Sequence, residues 1–343
     1  MEKTKSFRRE PLTDTQLLMV ITISIFFVMY VMAMIFLQGG FLRPQQVFDM
    51  LNDNASLIIV SCGLTVVMIG GGIDISVGAV TSLVVMSCIL FINAGGNVFL
   101  AILLALGIGL GFGVVQGFLI SYLEIQPFIV TLAGMFFARG MTTILSIDPQ
   151  KLEHKGFNKF RETKIAMKWL GYRAPNGNFI PARMEFGVVI ALLCLITVFI
   201  LLRYLRLGRN FYAMGGNQQS ALMLGINVKR TRFASYVLSG LLSGISGFVL
   251  IMHTGAANAT NAAGMEMNAI ASSIIGGTLL TGGVGNVVGT FFGTLTLTTI
   301  KKIVVSSGLT KPWWQSITTG GMLFFFILLQ SIVLGQRAKK KKS

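Results

Sequence analysis

Between Asn54 and Leu123 the sequence carries a single charged side chain, Asp74, in a run of apolar and small residues. Stretches of roughly 20 apolar residues are long enough to cross a lipid bilayer as helices. A carboxylate inside such a region is costly in hydrocarbon. Asp74 must therefore face the protein interior or a water-filled path, or cap an interrupted helix.

The composition places the chain among polytopic membrane proteins. Of its 343 residues, 53% are hydrophobic and 12% are charged, and the mean hydropathy is +0.75. These values exclude an ordinary soluble domain. The net charge is +16, but the basic residues cluster in the tails and loops between apolar segments, which predicts a membrane and no nucleic acid as partner. The three cysteines lie in apolar stretches and are interpreted as small core residues: Cys62, Cys88 and Cys194.

Ten apolar segments predict an all-α polytopic membrane protein, folded as a single transmembrane domain over residues 1–343. The first segment follows a basic start and lacks a small-x-small cleavage site, so we interpret it as an uncleaved anchor. Glycines interrupt the chain at Gly70–Gly72 and Gly276–Gly285, which predicts broken helices there. The segments cover residues 17–37, 55–70, 73–93, 98–122, 126–147, 186–204, 233–252, 267–281, 286–305 and 316–334.

The basic residues also predict an orientation. The stretch Arg203–Arg232 contains six Lys or Arg residues and no acidic residue, which predicts a cytoplasmic loop. Six spans before it and four after it place both termini on the cytoplasmic side. Residues 147–185 are then external, with a short amphipathic helix expected around Phe157–Trp169. Two roles stay open for this external segment, a structured cap and a docking surface for an external partner.

Patterns for enzymes and for other transport mechanisms are weak. Ser246 and His253 superficially resemble an intramembrane protease pair, but seven residues along one helix separate them by about 10 Å, too far for direct proton transfer. The small residues around Ser246 instead predict a close helix contact. No G-x-x-x-x-G-K-[ST] phosphate loop occurs, so the chain cannot be an ATPase by itself. An ion-coupled carrier usually needs several intramembrane ionisable groups, and only Asp74, Glu124 and Glu266 are candidates.

Two glycine-rich stretches are candidates for a substrate path. In the first, Gly70–Gly72 precede Asp74 and Ser76, which either cap a chain break or contact a substrate. In the second, Ile274–Thr290, a broken helix exposes backbone groups suited to a neutral sugar. Tight packing of a glycine-rich helix interface is the competing interpretation. Polar side chains near the second stretch are Thr278, Thr281 and Asn286.

A third stretch, Gly208–Val228, predicts a short helix in the cytoplasmic loop. Asn217 fits the N-cap of a helix over residues 218–224, and Gly225 fits its terminator. The helix has an apolar surface that a water-facing loop does not need, so we expect a partner protein to cover it. The side chains of this surface are Leu222, Met223 and Leu224.

These stretches together resemble the permeases of the ribose/galactose branch of ABC importers, most closely the galactofuranose permeases of bacterial inner membranes. The resemblance runs from about Asn52 to Gln330, and its markers are residues 70–80, 126–140, 208–228 and 268–290. It implies a type II-like permease of about ten helices, some of them broken. It also implies a bacterial cytoplasmic membrane location with both termini cytoplasmic, and no cofactor in this chain, because ATP and Mg²⁺ belong to a partner ATPase.

The implied partners are a cytoplasmic ATP-binding subunit, an extracytoplasmic sugar-binding protein and a second permease subunit, identical or paralogous. In the family, the loop corresponding to residues 205–232 carries a coupling helix that sits in a cleft of the ATPase. The coupling residues expected here are Ala213, Gly215, Gly216, Asn217, Ala221, Leu222 and Gly225. Gln219 and Ser220 depart from the family pattern, in which an acidic residue and an alanine are frequent, and this puts specific salt bridges to the ATPase in doubt.

We expect no catalytic residue and no metal ligand, and hence a transport subunit rather than an enzyme. The expected cargo is a monosaccharide, galactofuranose- or ribose-like. Nucleosides carried by the same machinery, and less readily an ion-coupled carrier, are the alternatives. The substrate path is expected at Asp74, Ser76, Asn268, Thr278 and Asn286. Docking of acidic residues of the binding protein is expected at the external Lys301, Lys302 and Lys311.

Overall fold

The computed structural model describes residues 14–36, 41, 43–173 and 179–342. The basic amino tail and residues 174–178 of the predicted external segment lie outside the described residues. The helices are α1 (Asp14–Phe36), α2 (Pro44–Ile69), α3 (Val77–Asn93), α4 (Val98–Ser121), α5 (Pro127–Leu145), α6 (Lys155–Glu162), α7 (Phe186–Tyr204), α8 (Arg206–Gly216), α9 (Gln218–Met223), α10 (Val228–Thr254), α11 (Met265–Ile275), α12 (Val287–Ser306) and α13 (Pro312–Lys342). The strands are β1 (Gln150–Lys151), β2 (Ile165–Arg173), β3 (Phe179–Met184) and β4 (Ala256–Ala257).

Each of the ten predicted membrane segments corresponds to a helix. Within the described ranges, eight helices are long and apolar enough to cross a membrane, by length and composition. The other two are the shorter α3 and α11, which adjoin the two glycine breaks. The predicted span 267–281 is wrong at its end, because the chain turns at Gly276 and Gly277 takes a φ of +89°. α2 begins at Pro44, well before residue 55, since proline fits the first turn of a helix.

The core is built around α2 and α10, most of whose residues are buried. α10 packs closely on α4, where Gly240 and Gly244 face the backbone of Gly109 and Gly113. Small residues allow this approach of two backbones, so the predicted close helix contact is confirmed. Ser246 belongs to a neighbouring contact, where its Oγ lies 2.6 Å from the Oγ of Ser56 on α2.

Residues 147–173 and 179–185 form a cap over one end of the bundle. The predicted helix around Phe157–Trp169 is wrong in its second half. α6 ends at Glu162, and residues 165–173 form β2, which pairs antiparallel with β3. A strand such as β2 is stabilised by its pairing with another strand, and the sequence of residues 165–173 alone does not reveal that pairing. The cap is fixed to the start of α2, because the Arg183 amide donates to Gln45 Oε1 at 2.7 Å.

The bundle has two distinct ends. α10 follows α9 at one end and leads into β4 at the other, where β4 pairs with β1 of the cap. We call these the α9 end and the cap end.

Candidate functional site

Asp74 holds the break between α2 and α3. Its Oδ1 accepts hydrogen bonds from the Ser76 amide at 3.0 Å and the Ser76 hydroxyl at 2.7 Å. Its Oδ2 accepts a hydrogen bond from the Ser239 hydroxyl on α10 at 2.8 Å. The carboxylate is buried and both of its oxygens have donors. Asp74 therefore ties Ser76, the residue just before α3, to the central helix α10. No side chain caps the first turn of α3 itself, so Asp74 holds the chain break without acting as the helix cap.

Gln116 joins the same cluster. Its Nε2 lies 3.0 Å from the Ser76 hydroxyl, and the side chain is buried on α4. The sequence pattern did not point to Gln116, although it is the only amide side chain within the apolar helix α4. The cluster links three helices through polar atoms inside an apolar bundle, where such bonds replace contacts with water.

The second break, residues 276–286, is closely packed. Gly276 lies against the backbone of Gly289 and Thr290 on α12. Thr278 is fully buried, and the Asn286 side chain caps α12 by accepting from the Val288 amide at 2.8 Å. These contacts favour the packing interpretation of this stretch over an open path in the present conformation.

The five residues predicted for the substrate path do not form one site. Asp74 and Ser76 are in direct contact, whereas Thr278 and Asn286 belong to the second break. Asn268 lies in the first turns of α11, where its Oδ1 accepts from Lys301 Nζ at 2.8 Å. Their role in transport stays a prediction.

Five glycines bring both breaks and α8 together. Gly283 of the second break donates its amide hydrogen to the Ile69 carbonyl oxygen at the end of α2, at 2.8 Å. A Cβ at Gly215 would meet these same two backbone groups, and a Cβ at Gly282 would approach the Gly71 Cα to 2.8 Å. Backbone thus packs directly on backbone here. We call this contact the glycine junction, and its members are Gly71, Gly215, Gly216, Gly282 and Gly283.

Tyr212 adds a side-chain contact between α8 and the second break. Its hydroxyl donates to the Gly285 carbonyl oxygen at 2.8 Å. Burial raises the pKa of Tyr212 to about 12, so the phenol keeps its proton and stays a hydrogen-bond donor at neutral pH. α8 is therefore connected firmly to the segment between α11 and α12.

α9 has the predicted start and stop. Asn217 Oδ1 accepts from the Ser220 amide at 2.9 Å, and Gly225 takes a φ of +77° just after the helix. The Asn217 amide in turn donates to the Ala213 carbonyl oxygen of α8 at 3.1 Å, and Ala221 is buried. The N-cap and the terminator are thus confirmed. The predicted apolar surface is open, with exposures of 54% at Leu222, 88% at Met223 and 78% at Leu224.

The three lysines predicted to dock a binding protein differ in their availability. Lys301 is bonded to Asn268, and Lys302 Nζ lies 3.3 Å from Asp53 Oδ2. Lys311 is exposed, with Nζ 6.0 Å from the centre of the Trp313 ring. Of the three, Lys311 is therefore the most available to pair with an acidic residue of another protein.

Glu185 forms a charged cluster at the cap end. Its carboxylate lies 2.7 Å from His253 Nδ1 at the end of α10 and 3.0 Å from Lys164 Nζ in the cap. Partial burial acts to raise the pKa of Glu185, but the hydrogen bonds with His253 and Lys164 outweigh it and hold the pKa below its ordinary value. The cluster connects α7, α10 and the cap.

A second charged pair lies within the spanning region. Arg139 Nη2 on α5 lies 2.6 Å from Glu266 Oε1 in the first turn of α11. The Glu266 side chain is buried, whereas the Arg139 side chain is 40% exposed. Arg139 was not predicted as a site residue, although it is the only charged residue in the predicted span 126–147, the same signal that marked Asp74. In the part of the chain that the structure describes, no group of three or more His, Cys, Asp or Glu side chains is placed to hold a metal ion.

Comparison with known proteins places the chain in a family. Residues 46–327 match the family described as "Branched-chain amino acid transport system / permease component". The chain belongs to this family. No solved structure matches the permease.

Curated relatives cover most of the permease. It is 32% identical over 300 residues to the fructose import permease protein FruG of Bifidobacterium longum, covering 88% of this chain and 87% of the relative. It is 37% identical over 276 residues to the inner membrane ABC transporter permease protein YjfF of Escherichia coli, 80% of each chain. It is 31% identical over 261 residues to the ribose import permease protein RbsC of Escherichia coli, 76% of this chain and 78% of the relative. The permease is accordingly a transport subunit of the ABC type and not itself an enzyme.

Proposed function

We propose that this permease is the membrane-spanning subunit of an ABC sugar importer, in the cytoplasmic membrane of a bacterium. Its cargo is a monosaccharide, galactofuranose- or ribose-like, delivered by a separate binding protein. Relatives named as fructose and ribose import permeases support a sugar as cargo.

The observation that carries the proposal is the exposed apolar surface of α9. α9 is a capped helix of six residues, Gln218–Met223. Its end and the following residue expose three apolar side chains to solvent: Leu222, Met223 and Leu224. An apolar patch of this kind marks a surface for another protein. The surrounding loop is basic, and by the positive-inside rule this supports a cytoplasmic α9 end. Both termini are proposed to lie on the same side. The partner there is the ATP-binding subunit, which holds ATP and Mg²⁺.

The glycine junction supplies the mechanical connection. Closure of the ATPase subunits pushes α9 and α8, and α8 meets the end of α2 and the second break through backbone contacts. Such contacts transmit a displacement with little slack, because no flexible side chain lies between them. The helices then rock, and the path opens to one side at a time. A second permease subunit completes the path, and the cap end, with Lys311, receives the binding protein.

Substitutions on α9 test the coupling role. In the importer with its ATPase and binding protein, Leu222→Asp and Gly225→Pro should each abolish sugar uptake while the amount of permease in the membrane stays unchanged. Leu222→Asp places a charge on the apolar surface, and Gly225→Pro is incompatible with a positive φ. Gln219→Asp is the matched control, since it adds the same charge at an exposed polar position of the same helix and should retain uptake. Uptake that survives both test substitutions would show that the coupling assignment is wrong.

The energy source and the cargo are tested in proteoliposomes that contain the permease, its ATPase and its binding protein. Uptake of labelled galactofuranose or ribose should require ATP and should be unaffected by collapsing ion gradients. If nucleosides inhibited the uptake of the labelled solute and unlabelled sugars did not, the cargo would be a nucleoside and not a sugar. Uptake that follows an ion gradient without the ATPase would refute the proposal.

A further inference from the structure

The chain between β4 and α11 descends into the membrane region without helical structure. Its residues 258–264 are named here the re-entrant segment. The Ala262 carbonyl oxygen lies against Gly78 on α3, so close that a Cβ added to Gly78 would be 2.9 Å from it. The other end of α3, Asn93, is bonded to Lys151 of the cap. Gly78 and Asn93 are 15 positions apart, so the segment reaches about 22 Å below the cap end.

Irregular backbone at this depth is tolerated only where it is buried in protein or lines a water-filled cavity. None of the seven residues of the re-entrant segment is fully buried, and three of them are exposed: Asn258, Thr260 and Ala263. The segment lines a small cavity together with Arg139, whose side chain is also 40% exposed. A partly exposed arginine and exposed polar backbone do not suit contact with lipid. This face of the bundle therefore borders water.

Two buried polar groups, one lining the cavity and one beside it, have no partner among the described residues. The cavity has a volume of about 70 Å³, and it is lined by Gly78, Ser82, Arg139 and residues 259–263 among others. The Ser82 hydroxyl is buried and makes no hydrogen bond to any described residue. Glu266 Oε2 is also buried without such a bond, and it points at Gly78 beside the cavity. Buried polar groups are almost always paired, so these two are poised for a ligand or for water.

We propose that Arg139, Ser82 and the re-entrant segment form a contact site for the hydroxyl groups of the transported solute, contracted in the present conformation. The inference rests on the proposed function and deepens it. The carboxylate of Glu266 neutralises Arg139, so the site has no net charge, which suits a neutral solute better than an ion. Arginine supplies donors, and serine and asparagine side chains both donate and accept, as a sugar requires. A volume of 70 Å³ holds about two waters, too few for a hexose, so the segment must move outward as the solute passes.

Cysteine labelling tests the water access of the segment and needs no knowledge of the cargo. Ala263→Cys and Leu193→Cys are compared in the complete importer in proteoliposomes, with 2-sulfonatoethyl methanethiosulfonate as the charged thiol reagent. Leu193 is the control, because it is exposed on α7 where lipid is expected. Ala263→Cys should react on the order of tenfold faster, since a charged reagent does not enter hydrocarbon. Equal rates would overturn the proposal.

Substitution of Ser82 tests the contact with the solute. Ser82→Ala should lower kcat/KM for sugar uptake roughly three- to tenfold, the value of one hydrogen bond. Ser61→Ala is the matched control, because Ser61 is another buried serine whose hydroxyl lacks a described partner, and it does not line this cavity. Ser61→Ala should leave uptake unchanged. Equal effects of the two substitutions would overturn the site.

Exchange of the charged pair separates contact from bracing. Arg139→Gln should abolish uptake. The double variant Arg139→Glu with Glu266→Arg should assemble with its ATPase but stay impaired in uptake, because its arginine side chain no longer faces the path. Full uptake by the double variant would show that the pair only braces α5 against α11, which overturns the solute contact. A wild-type importer that takes up no sugar would instead refute the proposed function, while the labelling result would still report the aqueous path.

Discussion

A methyl group at Gly215 would force α8 away from the end of α2. The Cβ of Gly215→Ala would collide with the Ile69 carbonyl oxygen and lie 2.6 Å from the Gly283 nitrogen. Those two groups are hydrogen-bonded to each other at 2.8 Å, so neither can yield without loss of that bond. Overpacking costs about 1–3 kcal/mol and loss of the bond about 0.5–1.5 kcal/mol. The higher helix propensity of alanine returns about 1 kcal/mol, which leaves a net destabilisation of about 0.5–3.5 kcal/mol.

The neighbouring Gly216 provides the control for this prediction. A Cβ at Gly216 meets no atom within 4 Å, so Gly216→Ala should be neutral or stabilising by up to about 1 kcal/mol. Denaturant titration of the purified permease in detergent measures the free energy of unfolding of both variants. In the complete importer, Gly215→Ala should also hydrolyse more ATP for each sugar transported, because α8 no longer moves with α2. If Gly215→Ala were as stable and as tightly coupled as Gly216→Ala, the direct backbone contact would be refuted.

Three further predictions concern single polar groups. Asp74→Asn should keep the contact with Ser76 through its amide oxygen, whereas Asp74→Ala should lower the free energy of unfolding by about 1–3 kcal/mol; equal losses in denaturant titration would contradict the role of Asp74 in holding the break. Asn217→Ala should destabilise the start of α9 by about 1 kcal/mol and speed amide hydrogen exchange there, whereas Asn217→Asp should exchange like the wild type. The lowered pKa of Glu185 stabilises the fold above its ordinary value of 4.5, and this contribution is lost as the pH falls through the lowered pKa; Glu185→Gln should remove that part of the pH dependence of the melting temperature.

Local signals account for what the sequence predicts well. The membrane segments follow from long apolar runs, and α9 follows residue by residue from an N-cap asparagine and a terminal glycine. The local contacts of Asp74 are of the same kind, since it accepts two hydrogen bonds from Ser76, two residues away. Each of these features is decided by neighbours within a few positions of the chain.

Contacts between distant segments are what the sequence does not reveal. Gly71 and Gly282 meet in the glycine junction although they are 211 positions apart, and a glycine-rich stretch looks alike whether it packs or lines a path. Thr278 and Asn286, which the sequence predicts for a path, both lie in the second break, where Thr278 is buried and Asn286 caps α12. Their role in transport stays a prediction. Arg139 carried a signal, as the lone charge of its span, but its partner Glu266 is 127 positions away.

The composition of the glycine junction also limits how evolution can repair it. In an ordinary packed contact, an enlarged residue is accommodated when the opposing side chain becomes shorter. The atoms nearest to a Cβ at Gly215 are main-chain atoms of Ile69 and Gly283, and these cannot be trimmed by any substitution. Second-site suppressors of a substitution at Gly215 must therefore arise at a distance, in residues that set the tilt of α2, α8 or α12. A genetic screen for such suppressors would map the parts of the permease that move together.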